Sequence, residues 1–267
     1  MGAPSIIVIP GASGLPKHFQ PVVDAIAKRG IDIQALHLPS VGLESGEVRP
    51  GPPPTLQDDA AFIAKHIASL ADPGRDVLLI AHSYGGAPAS EAVKGWSKTS
   101  RQEQGLEGGV IRIAYMTSLV PALGQAPGGI LAELPAENQT PMTVDNGSWM
   151  IQENGWIYYT DFSKMAERSF SKFPPEEGLV WAHKLVRHSA ASFASPLTYA
   201  GYKDVPVSYL LCEDDLLIPP FIQQKGIDMI ERETGKKVDV TRIDSNHVPI
   251  LSRTELVVDW IVKLVET

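Results

Sequence analysis

The chain contains a single cysteine, Cys212, among 267 residues. An intrachain disulfide framework is thereby excluded, as are cysteine pairs at metal-ligand spacing. Cys212 closes an apolar run and reads as a small buried side chain. No His-x-Glu-x-x-His pattern occurs either, so neither a metal nor a cofactor is expected. No apolar stretch reaches the length of a membrane span. Basic runs are missing too, and 31 acidic residues outweigh 23 basic ones, a net charge of −8. That balance argues against nucleic acid or an anionic membrane as a main partner. Pro10–Gly14 is glycine-rich but lacks the lysine of a phosphate loop, and no G-x-G-x-x-G occurs there, which speaks against nucleotide binding. The early run Ser5–Ile9 has no basic flank before it. It reads as a core strand rather than a signal peptide, and a cytoplasmic location is the expectation.

What is present suits one large α/β domain: 43% apolar and 20% charged residues supply a full core. Six short apolar runs read as strands, at Ile6–Ile9, Ile31–Leu38, Val77–Ala81, Val110–Met116, Pro206–Cys212 and Lys237–Ile243. Helical periodicity fills most gaps, at residues 19–27, 58–70, 85–98, 219–234 and 253–265. Alternation of this kind predicts a mainly parallel six-stranded sheet with helices on both faces. From Val120 to about Ala200 the periodicity breaks down into prolines, glycines and aromatic residues. We read residues 1–119 and 201–267 as the core and 120–200 as an inserted cap.

The chemistry falls at the carboxyl ends of predicted strands, where open α/β sheets bind ligands. Val77–Ala81 runs into His82-Ser83-Tyr84-Gly85-Gly86, a serine between small residues at a strand-to-helix turn. Such a serine needs an imidazole to take its proton and a carboxylate to orient that imidazole. His247 lies in the loop after the last strand. Asp214, Asp215 and Asp244 compete for the carboxylate role. Two amides are needed for a developing oxyanion; Tyr84 supplies one and the first loop, at Ala12, the other. His18 lies near that first loop. Cap rings such as Trp149, Trp156 and Tyr159 suggest an apolar pocket.

These residues resemble the α/β-hydrolase fold superfamily. The likeness runs from Val8-Ile9-Pro10-Gly11-Ala12 through Ala81-His82-Ser83-Tyr84-Gly85-Gly86 to Leu211–Pro219 and Asn246-His247. It is similar to the compact subgroup of plant methylesterases, hydroxynitrile lyases and fungal hydrolases, with Ser192–Tyr199 resembling the fungal branch. The resemblance implies Ser83 as nucleophile, His247 as base and the Ala12 and Tyr84 amides as oxyanion donors. It also implies Asp215 as the acid, four residues before the proline of the Ile-Pro pair. Lyases of the subgroup carry a lysine and a threonine where this chain has Val248 and Gly11, positions at the pocket. Ala81 and Pro10 replace the glycine and histidine usual in the family.

The expected activity is hydrolysis of a small to medium apolar ester or lactone, the one partner class expected, through an acyl-enzyme. Two alternatives compete: a non-hydrolytic reaction on the same three residues, and a ligand-binding receptor with slow turnover.

Overall fold

The computed structural model describes residues 2–134 and 150–266. Four strands come first: β1 (Ser5–Ile9), β2 (Ile33–Ala35), β3 (Asp76–His82) and β4 (Gly109–Met116). A separate segment then contributes β5 (Met150–Glu153), β6 (Trp156–Tyr159) and β7 (His188–Ser189). The chain returns to the first sheet with β8 (Val207–Cys212) and β9 (Asp239–Ile243). Sheet order is β2-β1-β3-β4-β8-β9, with every adjacent pair parallel.

The two-residue period of the strands divides the core in two. Ile7, Ile9, Leu79 and Ala81 face one layer, with Ile63 and Ile67 of the helix Leu56–Ala71 and Ile222 and Ile230 of the helix Pro220–Thr234. Ile6, Val8, Leu78 and Ile80 face the opposite layer, with Val22 and Ile26 of the helix Gln20–Ala27 and Val257, Trp260 and Ile261 of the helix Thr254–Glu266. Strands covered on both sides lose the polar alternation of half-exposed ones, so β1 and β3 read as unbroken apolar runs.

Local signals set several boundaries. Thr55 caps the helix Leu56–Ala71: its side chain accepts from the Asp58 amide, and the Asp58 carboxylate accepts from the Thr55 amide at 2.7 Å. The helix Pro220–Thr234 ends on Gly235, in the left-handed region at φ 67°.

Elsewhere the structure departs from the sequence reading. The helix after Ser83 spans only Gly86–Ala92 instead of continuing to Lys98. Beyond it the Trp96 carbonyl accepts from the Val110 amide at 2.7 Å, drawing this stretch against β4. The connector then forms a short helix, Lys98–Glu103, and the buried Arg101 donates to the carbonyls of Ala71, Glu107 and Gly108. A guanidinium, not an apolar stripe, organises this stretch, so periodicity misses it. β2 is three residues of the eight expected, at the half-buried edge of the sheet.

Between β4 and β8, β5, β6 and β7 make a small antiparallel sheet. Helices Phe162–Ser169 and Pro175–Ala182 lie between β6 and β7 in sequence, and Ala190–Ala194 follows β7. Ile157, Val186, Ala190 and Phe193 of this segment join the same apolar cluster as Ile9 and Ala81.

Candidate active site

Ser83 follows the last residue of β3 and adopts φ 53°, a left-handed backbone that a non-glycine residue holds only under constraint. The constraint comes from close packing. A side chain at Gly85 would put its Cβ 2.6 Å from the carbonyl oxygens of both Ile9 and Pro10, so only glycine lets the turn approach the end of β1. The Leu119 amide donates to the Ser83 carbonyl at 3.0 Å and braces the other side. Ala81, where the family pattern has glycine, is fully buried.

Residues far apart in sequence meet here. The Ser83 hydroxyl lies 2.9 Å from His247 Nε2, and His247 Nδ1 lies 2.7 Å from Asp215 Oδ2. An ionised carboxylate only accepts, so Nδ1 carries the proton and Nε2 is free to accept from the serine. Asp215 is held on its other side as well. Its Oδ1 accepts from the amides of Leu217 and Ile218, both at 2.8 Å, and Thr117 Oγ1 donates to Oδ2. Asp214 and Asp244 point elsewhere: both pair at 2.5 Å with Lys172 of the inserted segment.

The loop after β1 completes the site. Gly14 N donates to Gly11 O at 3.2 Å, and Ser13 takes φ 61°. The Ala12 amide makes no hydrogen bond among the described residues and, with Ser83, borders the largest apolar cavity beside the serine. Tyr84 is the second residue of the turn Ser83–Gly85, where the first amides lack intrahelical partners. Gly11 is pressed against the serine: a Cβ there would fall 2.7 Å from Ser83 Cβ, which leaves no room for a threonine without movement.

Two chambers flank Ser83. The larger, about 220 Å³, is lined by Leu119, Leu131, Ile157, Phe193 and Ile218 among others. The smaller, about 70 Å³, is lined by His18, Trp181, His247, Val248 and Gly11 among others. Ser83, Ala12, Tyr159, Met165 and Leu217 border both.

The family model described as the alpha/beta hydrolase family matches residues 6–260. The chain belongs to the alpha/beta hydrolase family. An alpha/beta hydrolase of Aspergillus novofumigatus, nvfD, is 31% identical over 259 residues, covering 97% of this chain and 95% of that protein. A probable hydrolase of a Phoma species, R7, is 28% identical over 264 residues, covering 99% of each. Among solved structures, a pyrethroid hydrolase of Sphingobium faniae superposes with a TM-score of 0.75 at 19% identity, over 100% of this chain and 98% of that one. At such identity the likeness speaks for the fold. Among the described residues no helix is long and apolar enough to cross a membrane.

Within this alpha/beta hydrolase, most pocket residues picked from the sequence border the chambers. Gly11, His18 and Val248 line the smaller, and Tyr159 lines both. Tyr159 also donates its hydroxyl to Ser13 Oγ at 3.2 Å. Trp156 is a correction: it is buried but lines neither chamber. Side chains alternate along β6, and Ile157 and Tyr159 take the chamber face. Trp149 lies outside the described residues.

Three buried groups were not anticipated. His82 donates through Nε2 to the His247 carbonyl at 2.7 Å, and burial lowers its pKa to about 3. Asp59 accepts from the Tyr84 hydroxyl at 2.8 Å and the Ser40 amide at 2.9 Å; burial raises its pKa to about 6. His188 stands 4.8 Å from the Tyr84 ring, accepts from the Ser13 amide at 3.4 Å and meets Ser192 Oγ at 3.0 Å. Burial drives it to about 3. Asp59 sits on a helix whose apolar spacing masks it, while the His247 carbonyl lies 165 positions from His82 and the Ser13 amide 175 from His188, so no local pattern marks these contacts.

Proposed function

We propose that the protein hydrolyses a carboxylic ester or lactone through an acyl-enzyme on Ser83. The observation that carries this reading is the continuous hydrogen-bonded line Ser83 Oγ–His247 Nε2, His247 Nδ1–Asp215 Oδ2, at 2.9 and 2.7 Å. A serine hydroxyl is a weak nucleophile at neutral pH, and an imidazole within hydrogen-bond reach removes its proton as the C–O bond forms. Asp215 fixes the tautomer and stabilises the imidazolium. The tetrahedral oxyanion is held by the Ala12 and Tyr84 amides; losing one such donor in other enzymes costs about 10²–10³ in kcat. His247 then returns its proton to the departing alcohol. Water, activated by the same imidazole, frees the acid.

Residues 120–200 act as the cap, and the apolar lining of the larger chamber selects a small to medium apolar substrate. The hydrolase names of both fungal relatives support a hydrolytic outcome. So does the name of a further solved structure of like fold, polyneuridine aldehyde esterase, with a TM-score of 0.71 at 17% identity.

The test is incubation with p-nitrophenyl esters of graded chain length and with a serine-reactive fluorophosphonate, beside Ser83→Ala. We expect a burst of nitrophenol and a covalent adduct, both lost in the variant. Turnover without adduct would instead support a non-hydrolytic reaction; tight ligand binding with neither signal would support a receptor.

A further inference from the structure

We infer that His18 reads the leaving group: its Nε2–H donates to an acceptor oxygen on the alcohol portion of the substrate. The preferred ester then combines an apolar acyl group with a small oxygenated alcohol. This inference rests on the ester-hydrolase reading above.

The tautomer follows from the backbone. His18 sits in the short helical turn Pro16–Phe19, and its Nδ1 accepts from the Leu15 amide at 3.2 Å. Nδ1 therefore presents a lone pair, and in the neutral ring the proton resides on Nε2. Neutrality is enforced by burial, then by the charges of Lys17 and Lys184, which lower the pKa to about 4.

That Nε2–H is buried and has no hydrogen-bond partner among the described residues. A buried donor left without a partner is costly, and native proteins keep few of them. Three other buried side-chain atoms share this state, on Ser40, Asn246 and Trp260, yet none of those residues lines either chamber. His18 lines the smaller one. Its polar side-chain neighbours there are engaged: His82 with the His247 carbonyl, His247 with Asp215 and Ser83, Tyr159 with Ser13, and Ser169 with Met165 Sδ at 3.6 Å. Most of the remaining wall is apolar, including Phe19, Phe170, Trp181 and Leu251. An acceptor entering this chamber beyond the Ala12 amide meets one buried side-chain donor without a partner, His18 Nε2–H.

The chemistry of the proposed reaction assigns the chamber. His247 must hand its proton to the departing oxygen, so the leaving group occupies the chamber that His247 lines. That is the smaller one. The larger chamber, which His247 does not line, receives the acyl group.

The experiment compares 2-methoxyethyl hexanoate with butyl hexanoate, which differ by one oxygen in place of one methylene, in the native protein and in His18→Phe. We expect the kcat/KM ratio, methoxyethyl over butyl, to fall about tenfold in the variant, and His18→Gln to restore part of it because Gln supplies both acceptor and donor. A packing role would lower both esters alike and leave the ratio unmoved, which overturns the inference. If His18→Phe does not fold, His18→Met gives the same comparison. Fluorophosphonate labelling of the native protein separates the two levels. An adduct with an unmoved ratio overturns the role of His18 alone, whereas no adduct and no hydrolysis overturn the ester-hydrolase reading together with it.

Discussion

The Nε2–H of His82 donates to the main-chain carbonyl of His247 across 2.7 Å. His82 is the last residue of β3 and the neighbour of Ser83, so the strand that presents the hydroxyl also anchors the loop that presents the imidazole. Burial keeps His82 neutral, which leaves one ring N–H for this single carbonyl. The separation of Ser83 and His247 is thus fixed from both ends.

Removing that bond is expected to loosen the reacting geometry. His82→Phe should lower kcat by about 10–100-fold, with KM within about twofold, since small displacements of reacting groups cost that much. His82→Gln, which retains a donor, should recover part of the loss. Steady-state kinetics on one p-nitrophenyl ester measure all three; equal losses for Phe and Gln would remove the positioning role.

The acidic pair after β8 offers a cleaner contrast. Asp215→Asn should depress kcat by about 10⁴, because an amide cannot hold the imidazole in the required tautomer. Asp214→Asn breaks a half-exposed pair with Lys172 and should stay within about twofold. Comparable losses in the two variants would contradict the assignment of roles.

Asp59 makes a pH prediction. Its pKa is raised to about 6 by burial, from an ordinary value near 3.8. A carboxyl that binds its proton more tightly when folded adds stability that is fully present below the unfolded value and is lost as pH rises through the folded one. Between pH 4 and pH 7 the native protein should therefore lose about 2 kcal/mol relative to Asp59→Asn, most of the full shift at about 1.36 kcal/mol per unit. His18, His82 and His188 are shifted downward and carry the opposite slope, but they are common to both proteins and drop out of the difference. Urea midpoints at pH 4, 5.5 and 7 measure it; parallel curves would mean that Asp59 is ionised throughout.

The strand sequence, the serine turn and polar residues after the later strands were legible because each is a local pattern; only the family resemblance prefers Asp215 to Asp214 and Asp244. β1 and β3 are covered on both faces and therefore appear as apolar runs, while Gly85 appears because its neighbours exclude a Cβ. The short helix Lys98–Glu103 escaped notice because hydrogen bonds from Arg101 replace the apolar spacing that would reveal it.

What a single chain of letters determined here is a sheet, a turn that needs glycine, and a short set of polar residues at strand ends. Tertiary structure alone decided that Asp214 and Asp244 turn to Lys172, that Ile157 rather than Trp156 faces the chamber, and that His82 and Asp59 brace His247 and Tyr84. The physical reason is range. Apolar periodicity follows from burial of neighbouring residues, whereas a hydrogen bond between groups 165 positions apart leaves no trace in either local pattern.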